Sequence, residues 1–306
     1  MTTTTHSELQ VRQWRQIGTI TVAAISIFAL LRWLPTGTSL SHMDFRVDAK
    51  NSIEFCDPLN PQFIPVVAVA SPVAMKVTAA SARAGAPVEA TVTLKTASGK
   101  PIETQDLLVV HTRRLHLLIA DPTLTDYQHV HPEPTKEQGT WSFRFTPKAS
   151  GAYRIFADFT PAATNRGLYA NADLRVEPAP VSAVVPALAP TKSDEGYTFA
   201  LTPASLPLRA KQTVDLTFTI TRSDGALVPL EPVMDAYAHL VAFDQARSGF
   251  AHLHPMQADL SKAPDRTRPT LNFKITIPAA GRYVIWAQVN LAGHETFVPF
   301  WFDVEA

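Results

Sequence analysis

With 27 lysines and arginines against 27 aspartates and glutamates over 306 residues, the chain is electrically balanced, so it has no basic field for binding phosphates, and nucleic acid is excluded as an expected partner. A length of this order allows about two domains; the 46% apolar content is enough to build real cores, and 25 prolines against 12 glycines favour strands and extended connections over long helices. Cys56 is the only cysteine, so no intramolecular disulfide can form and thiol catalysis is not expected.

The first predicted element is a membrane anchor over residues 17–35. Ile17 to Leu31, "IGTITVAAISIFALL", carries no charge, Arg32 is able to snorkel, and Trp33 suits an interface. Arg12 and Arg15 precede it, so the positive-inside bias assigns residues 1–16 to the cytoplasm and the bulk of the chain to the periplasm or outer surface of a bacterium. The competing reading is a cleaved secretory signal, for which Ser39-Leu40-Ser41 is a poor cleavage site. Both readings send the rest of the chain to the same compartment.

Residues 36–65 read as a proline-rich linker holding Cys56, either a partly buried thiol or, on sharper readings, an intermolecular disulfide or soft metal ligand. From residue 66 to 178 about seven short β-rich runs, among them "PVEATVTLKT", "DLLVVHTRRLHLLIAD", "TWSFRFTP" and "GAYRIFADF", are bounded by turn residues and predict an antiparallel sandwich. Prolines 178, 180, 186 and 190 mark a semi-rigid spacer over about 179–192. A second sandwich is expected over 193–306, because the order of runs repeats. His116, Asp121, His129, His131 and Pro132 recur as His239, Asp244, His252, His254 and Pro255 at an offset of 123, and Gly151 and Tyr153 recur as Gly281 and Tyr283 at an offset of 130. The fold class expected is therefore all-β: two tandem immunoglobulin-like sandwiches after one transmembrane helix.

The pattern of a histidine opening an apolar strand, an acidic residue, a His-x-His-Pro and then Gly-x-Tyr resembles the YtkA-like bacterial envelope domains, and the resemblance covers both halves but neither the anchor nor the Cys56 linker. It implies an immunoglobulin-like or cupredoxin-like sandwich and an association with heavy metals, copper above all.

The residues themselves point to metal chemistry by geometry. Histidines at i and i+2 of a strand share a face, so His129 with His131, and His252 with His254, each offer two imidazoles to one ion. Imidazole suits zinc, copper and nickel, and seven of the ten histidines (111, 116, 129, 131, 239, 252 and 254) fall in these two regions. Whether His116 and His239 join depends on hairpin register. A five-residue loop over 122–126 sets His129 opposite Ile119 and turns His116 away, whereas a shift of one residue sets His116 opposite His131. Five residues before each opening histidine stand His111 and Met234, the expected fourth ligands, although a regular strand would send such a pair to opposite faces and an irregular turn must intervene. The ions expected are copper or zinc.

Against this stands a structural reading, in which the His-x-His-Pro imidazoles bond to loop carbonyls and Asp121 and Asp244 cap hairpin turns. Tyr153 and Tyr283 fit a tyrosine corner. Trp141, Trp286 and Trp301 fit a core, His294 a loop, and His6 and His42 flank the anchor with no metal implied. The sequence has no Gly-x-Ser-x-Gly elbow, glycine-rich phosphate loop or His-Glu-x-x-His helix, so catalysis is not expected. Two functions remain: a membrane-tethered metal-binding protein with one histidine site per repeat, or a tethered immunoglobulin-like module with structural histidines that binds an envelope protein partner.

Overall fold

The computed structural model describes residues 6–33, 39–45, 62–177, 189 and 191–306; Cys56 and residues 179–188 and 190 of the 179–192 spacer lie outside them. The chain divides into two compact units, Met1–Thr38 and Ser39–Ala306. In the first, helix α1 runs His6–Trp33, and its stretch Val11–Leu31, 21 residues with a mean hydropathy of 1.5, is long and apolar enough to cross a membrane. The helix therefore begins well before the uncharged run. Thr19 folds its hydroxyl back to the Arg15 carbonyl at 2.9 Å, hiding a polar group inside the span. The side chains of Arg32 and Trp33 lie outside the described set.

The second unit is all-β. Its first repeat holds β1 (Val73–Ala79), β2 (Val88–Thr96), β3 (Leu115–Ala120), β4 (Tyr127–Val130), β5 (Glu133–Pro134), β6 (Thr140–Phe145), β7 (Gly151–Phe159) and β8 (Leu168–Val176). These form two antiparallel sheets, ordered β1-β2-β6-β5 and β4-β3-β7-β8. The second repeat holds β9 (Thr191–Asp194), β10 (Tyr197–Pro203), β11 (Leu208–Arg209), β12 (Thr213–Arg222), β13 (Leu230–Glu231), β14 (His239–Asp244), β15 (Phe250–Leu253), β16 (Thr270–Thr276), β17 (Gly281–Leu291) and β18 (His294–Glu305). Its sheets run β16-β12-β10-β9 and β11-β18-β17-β14-β15, and the short β11 joins β18 in parallel.

Alternation along each strand divides the apolar side chains between three cores. On β3, Leu117 and Ile119 enter the first sandwich while Leu118 and Ala120 point out of it; on β14, Leu240 and Ala242 enter the second while Val241 and Phe243 point out. The outward sets meet one another, with Phe156, Phe250 and Trp286, in a third cluster between the repeats. All six residues of β3 are buried, which explains why its sequence, His116 apart, is apolar on both faces rather than alternating. Trp141 lies in the first sandwich core, whereas Trp286 and Trp301 belong to the cluster between the repeats.

Two segments ahead of the first repeat are packed into this unit. Leu40 and Phe45 enter the first core, held by bonds from the Ser39 and Leu40 amides to the Asp106 carboxylate at 2.8 and 3.1 Å. Residues 62–67 form a strap along the second repeat: Ile64 and Phe250 exchange backbone hydrogen bonds of 2.8 and 3.1 Å, and Phe63 fills the second core. Gly249 permits that approach, since a Cβ there would stand 1.8 Å from the Ile64 carbonyl oxygen.

The Gly-x-Tyr positions close each sandwich. Tyr153 Oη accepts from the Ala149 amide at 2.9 Å and donates to Asp126 Oδ2 at 2.7 Å, while Tyr283 Oη donates to the Ala279 carbonyl at 3.1 Å. Tyr153→Phe takes the acceptor from the buried Ala149 amide and one donor from the Asp126 carboxylate, which keeps the Lys148 amide at 2.7 Å, so a loss of about 1–3 kcal/mol is expected. For Tyr283→Phe the expected loss is smaller, about 0.5–1.5 kcal/mol. Paired urea melts of the two variants check both the order and the size.

Candidate metal centre

The register of the first hairpin brings the histidines together. Ala120 pairs with Tyr127, Leu118 with His129 and Leu117 with Val130, so His131 comes next to His116. This is the shifted register, with a loop one residue longer than the five-residue alternative. The Asp121 carboxylate builds that loop, accepting from the amides of Thr123, Thr125 and Asp126 at 3.0, 2.8 and 2.9 Å. Asp244 accepts from the Ser248 amide at 2.7 Å in the second copy. Both aspartates are turn formers.

His116, His129 and His131 each place a ring nitrogen within 4.8 Å of the others, and so do His239, His252 and His254. The hydrogen bonding of each triad settles which nitrogens carry protons. His116 Nε2 lies 3.0 Å from the Val110 carbonyl oxygen, which only accepts, so that nitrogen is the N–H. His129 Nδ1 lies 2.9 Å from Gln288 Oε1, whose amide is oriented by Nε2 donating to Glu295 at 2.7 Å; Nδ1 is therefore the N–H. What remains is His116 Nδ1 facing His129 Nε2 at 3.1 Å, two lone pairs pointed at each other.

The second triad repeats this arrangement. His239 Nε2 donates to the Val233 carbonyl at 3.0 Å, His252 Nδ1 donates to Asp158 Oδ2 at 3.2 Å, and His239 Nδ1 faces His252 Nε2 at 3.3 Å. In both copies the third histidine adds a buried Nε2, of His131 or His254, with no hydrogen-bond partner among the described residues.

A proton between the facing nitrogens would relieve the repulsion, but burial opposes it. Desolvation, with neighbouring imidazoles adding to it, holds His129 and His252 well below the usual histidine range. Burial pushes His131 down to about 3 and His239 down to about 4, and lowers His111, His116 and His254 as well. At neutral pH the rings are neutral imidazoles, the form that ligates metal. Two nitrogens bound 2.0–2.1 Å from a tetrahedral ion lie roughly 3.3 Å apart, close to the spacings of both facing pairs.

The two outer-nitrogen acceptors were not foreseen. Gln288 belongs to the second repeat and orients a histidine of the first; Asp158 belongs to the first and orients a histidine of the second. They are related by the same offset of 130 that relates Gly151 to Gly281, so each contact is the mirror of the other, as at an isologous interface. Their signal in the sequence was a lone polar residue at matched positions of two apolar strands, "IFADF" and "IWAQV". Such carboxylate or amide partners fix the tautomer and raise the basicity of a ligating histidine. The triads themselves are neighbours, with the rings of His129 and His252 5.6 Å apart.

His111 and Met234 sit on matching turns. Val110 and Arg113 bond reciprocally around His111 (φ 49°) and Thr112 (φ 67°), and Val233 and Ala236 do so around Met234 (φ 49°) and Asp235 (φ 60°). These are the irregular turns the odd offset demanded. They do not bring His111 into the triad of its own repeat. Its ring lies 3.9 Å from that of His254 and 6.0 Å from that of His239, against 6.4 Å from His116. Met234 is buried. A cavity of about 210 Å³ lies beside the triads, lined by His111, Arg114, His116, Asp158, His252 and His254 among others; His129, His131 and His239 do not line it. His294 is an exposed residue at the β17–β18 hairpin.

Fold and site together define a tandem β-sandwich protein with a histidine-rich interface between its repeats. The chain belongs to the family described as a domain of unknown function (DUF8832), which matches at residues 68–176 and again at 191–306. No curated protein matches. Among solved structures the chain is similar to the Escherichia coli adhesin FdeC (16% identity, 76% of this chain and 64% of that one, TM-score 0.22). It is also similar to a Corynebacterium diphtheriae protein described as membrane anchored (12%, 78% and 59%, 0.25) and to the fibronectin(III)-like modules of Clostridium thermocellum CbhA (12%, 75% and 94%, 0.20). The chain thus spans less than two thirds of the first two, and at such scores nothing about the site is carried over.

Proposed function

We propose that this protein is a membrane-tethered, extracytoplasmic metal-binding protein that holds one ion of the copper class on each histidine triad, and that it binds rather than catalyses. The observation that carries this reading is the repeated facing of two imidazole lone pairs, with a third unpartnered nitrogen beside them, in rings that burial keeps neutral. A cation is the group that turns this arrangement from repulsive to favourable. Three imidazoles without a carboxylate suit copper or zinc rather than calcium or magnesium, and copper(II) stands highest in the affinity order. The resemblance to YtkA-like heavy-metal domains points the same way. The apolar helix α1 supplies the tether, and Arg12 and Arg15, in its N-terminal part ahead of the uncharged run from Ile17, favour an N-terminus in the cytoplasm with both repeats outside.

The test is stoichiometry on the full-length chain in detergent micelles, equilibrated with Cu(I), Cu(II) or Zn(II) and freed of loose ions. Two ions per chain are expected. His252→Ala with His254→Ala should remove one while the circular dichroism stays unchanged, and the paired glutamine variants serve if alanine disturbs folding. No ion above background in the wild type would overturn the proposal in favour of an interaction module with structural histidines.

A further inference from the structure

We infer that each metal centre draws its fourth ligand from the opposite repeat: His111 completes the triad of His239, His252 and His254, and Met234 completes the triad of His116, His129 and His131. The protein then holds one four-nitrogen site and one softer site with three nitrogens and a thioether. This inference rests on the metal reading and goes beyond it, by assigning the ligands that make the two centres unlike.

The placement of His111 is the first support. Its ring lies 3.9 Å from that of His254, across the interface and tilted by 32°, and stands 6.0 and 6.4 Å from those of His239 and His252. Members of that triad stand 4.8–5.4 Å from one another. His111 is thus just outside the triad and closes on an ion by moving its side chain alone.

Backbone strain at the same place is the second. Tight two-residue turns with positive φ at both positions favour Asn-Gly or Gly-Gly, yet the two copies use His-Thr and Met-Asp. Left-handed backbone is unfavourable at such residues, at Thr112 and Met234 above all. Retention of this strained geometry in both copies, with a ligand-capable side chain at the first position each time, fits a turn that exists to aim that side chain.

The third support is the two-fold relation. His129 takes its outer partner from the second repeat and His252 takes its own from the first, at equivalent positions. The operation that exchanges those contacts maps His111 and His254 onto Met234 and His131, and on that correspondence Met234 is assigned to the first triad. The substitution of thioether for imidazole between the copies then becomes a difference in softness: sulfur favours Cu(I), whereas four nitrogens suit Zn(II) or Cu(II). The cavity adds a second difference, since His111, His252 and His254 line it against only His116 of the other triad, which gives the four-nitrogen centre the wider route for exchange.

The experiment uses the full-length chain in detergent micelles, titrated with Zn(II) and with Cu(I) against chromophoric chelators, and X-ray absorption on the Cu(I) form. His111→Ala should weaken Zn(II) at one site at least tenfold, and Met234→Ala should remove the sulfur neighbour of Cu(I) and weaken Cu(I) at the other site by a similar factor. The assignment across repeats is read from combined variants. With His252 and His254 already replaced by alanine, His111→Ala should cause no further loss, whereas in a chain lacking His129 and His131 it should still weaken the remaining ion. The reverse pattern would overturn the inference while leaving the metal reading intact, as would single variants that bind like the wild type. If alanine at either position disturbs folding, the exchange variants His111→Met and Met234→His decide: they should shift the Zn(II) to Cu(I) preference of opposite sites. A wild type that binds no ion would overturn both readings together.

Discussion

Acidifying the ion-free protein from pH 7 to pH 4 is expected to lower its thermal stability steeply, and ions bound at the centres should counter the loss at the start of that range. The sign follows from the lowered histidines. His239, with an ordinary value of 6.5, is pushed down to about 4 when folded, and His131 to about 3. Below the unfolded value the unfolded chain binds protons that the folded one refuses, so stability is complete above about pH 6.5 and falls as pH drops toward the folded values. For His239 alone the gap corresponds to roughly 3 kcal/mol at full protonation. His129, His252, His116, His111 and His254 act in the same direction, although neighbouring rings share part of one penalty. Asp158 opposes them: burial raises its carboxyl, so its own contribution favours the folded state at lower pH. Melting curves in a chelator across this range check the expectation, and a melting temperature that stays flat from pH 7 to 4 would contradict it. Excess Zn(II) should raise the curve near pH 7, with the gain fading as protons compete for the same nitrogens.

Phe243→Ala should be the most damaging of the core truncations between the repeats, at about 3–5 kcal/mol. Phe243 is fully buried, stacks on Phe156 with ring centres 5.9 Å apart, and meets Tyr127 at 5.4 Å. The contacts it supports lie beside the bonds that His129 donates to Gln288 and His252 donates to Asp158. Loosening the interface should therefore weaken ion binding at both triads, by about 10–100-fold if the outer partners behave as such partners usually do. Urea melts give the first quantity and chelator competition the second. A large loss of stability with unchanged ion affinity would mean that the interface holds the repeats together without tuning the centres.

Much of this architecture is legible in the chain. The duplicated His-x-His-Pro, the constant offsets and the short β-rich runs between turn residues point to two sandwiches, and the uncharged run near the N-terminus points to the helix. The packing of the repeats on each other is not legible. A strand buried on both faces reads as a plain apolar run, so "LHLLIA" says nothing about which neighbour covers its second face. The same ambiguity hides Asp158 and Gln288, whose partners lie in the other repeat. Hairpin register depended on one residue of loop length, which the Asp121 turn decides through bonds that only the folded loop shows. The direction of His111 depended on left-handed backbone at two positions that carry neither glycine nor asparagine.

The strap over residues 62–67 bears on the order in which the molecule assembles. It leaves the ribosome ahead of both repeats, yet its partners, Phe250 and Thr276, are made only with the second repeat. Contacts so distant along the chain form late, because the loop between them must close first. The first sandwich has its own core and can collapse while the strap, with Phe63, Ile64 and Val66 bared, waits for its dock. During that interval the nascent chain presents the run "FIPVV" to whatever surrounds it, and a chaperone has its best reason to attend there. Docking of the strap then marks completion: it takes place only when the second repeat exists to receive it.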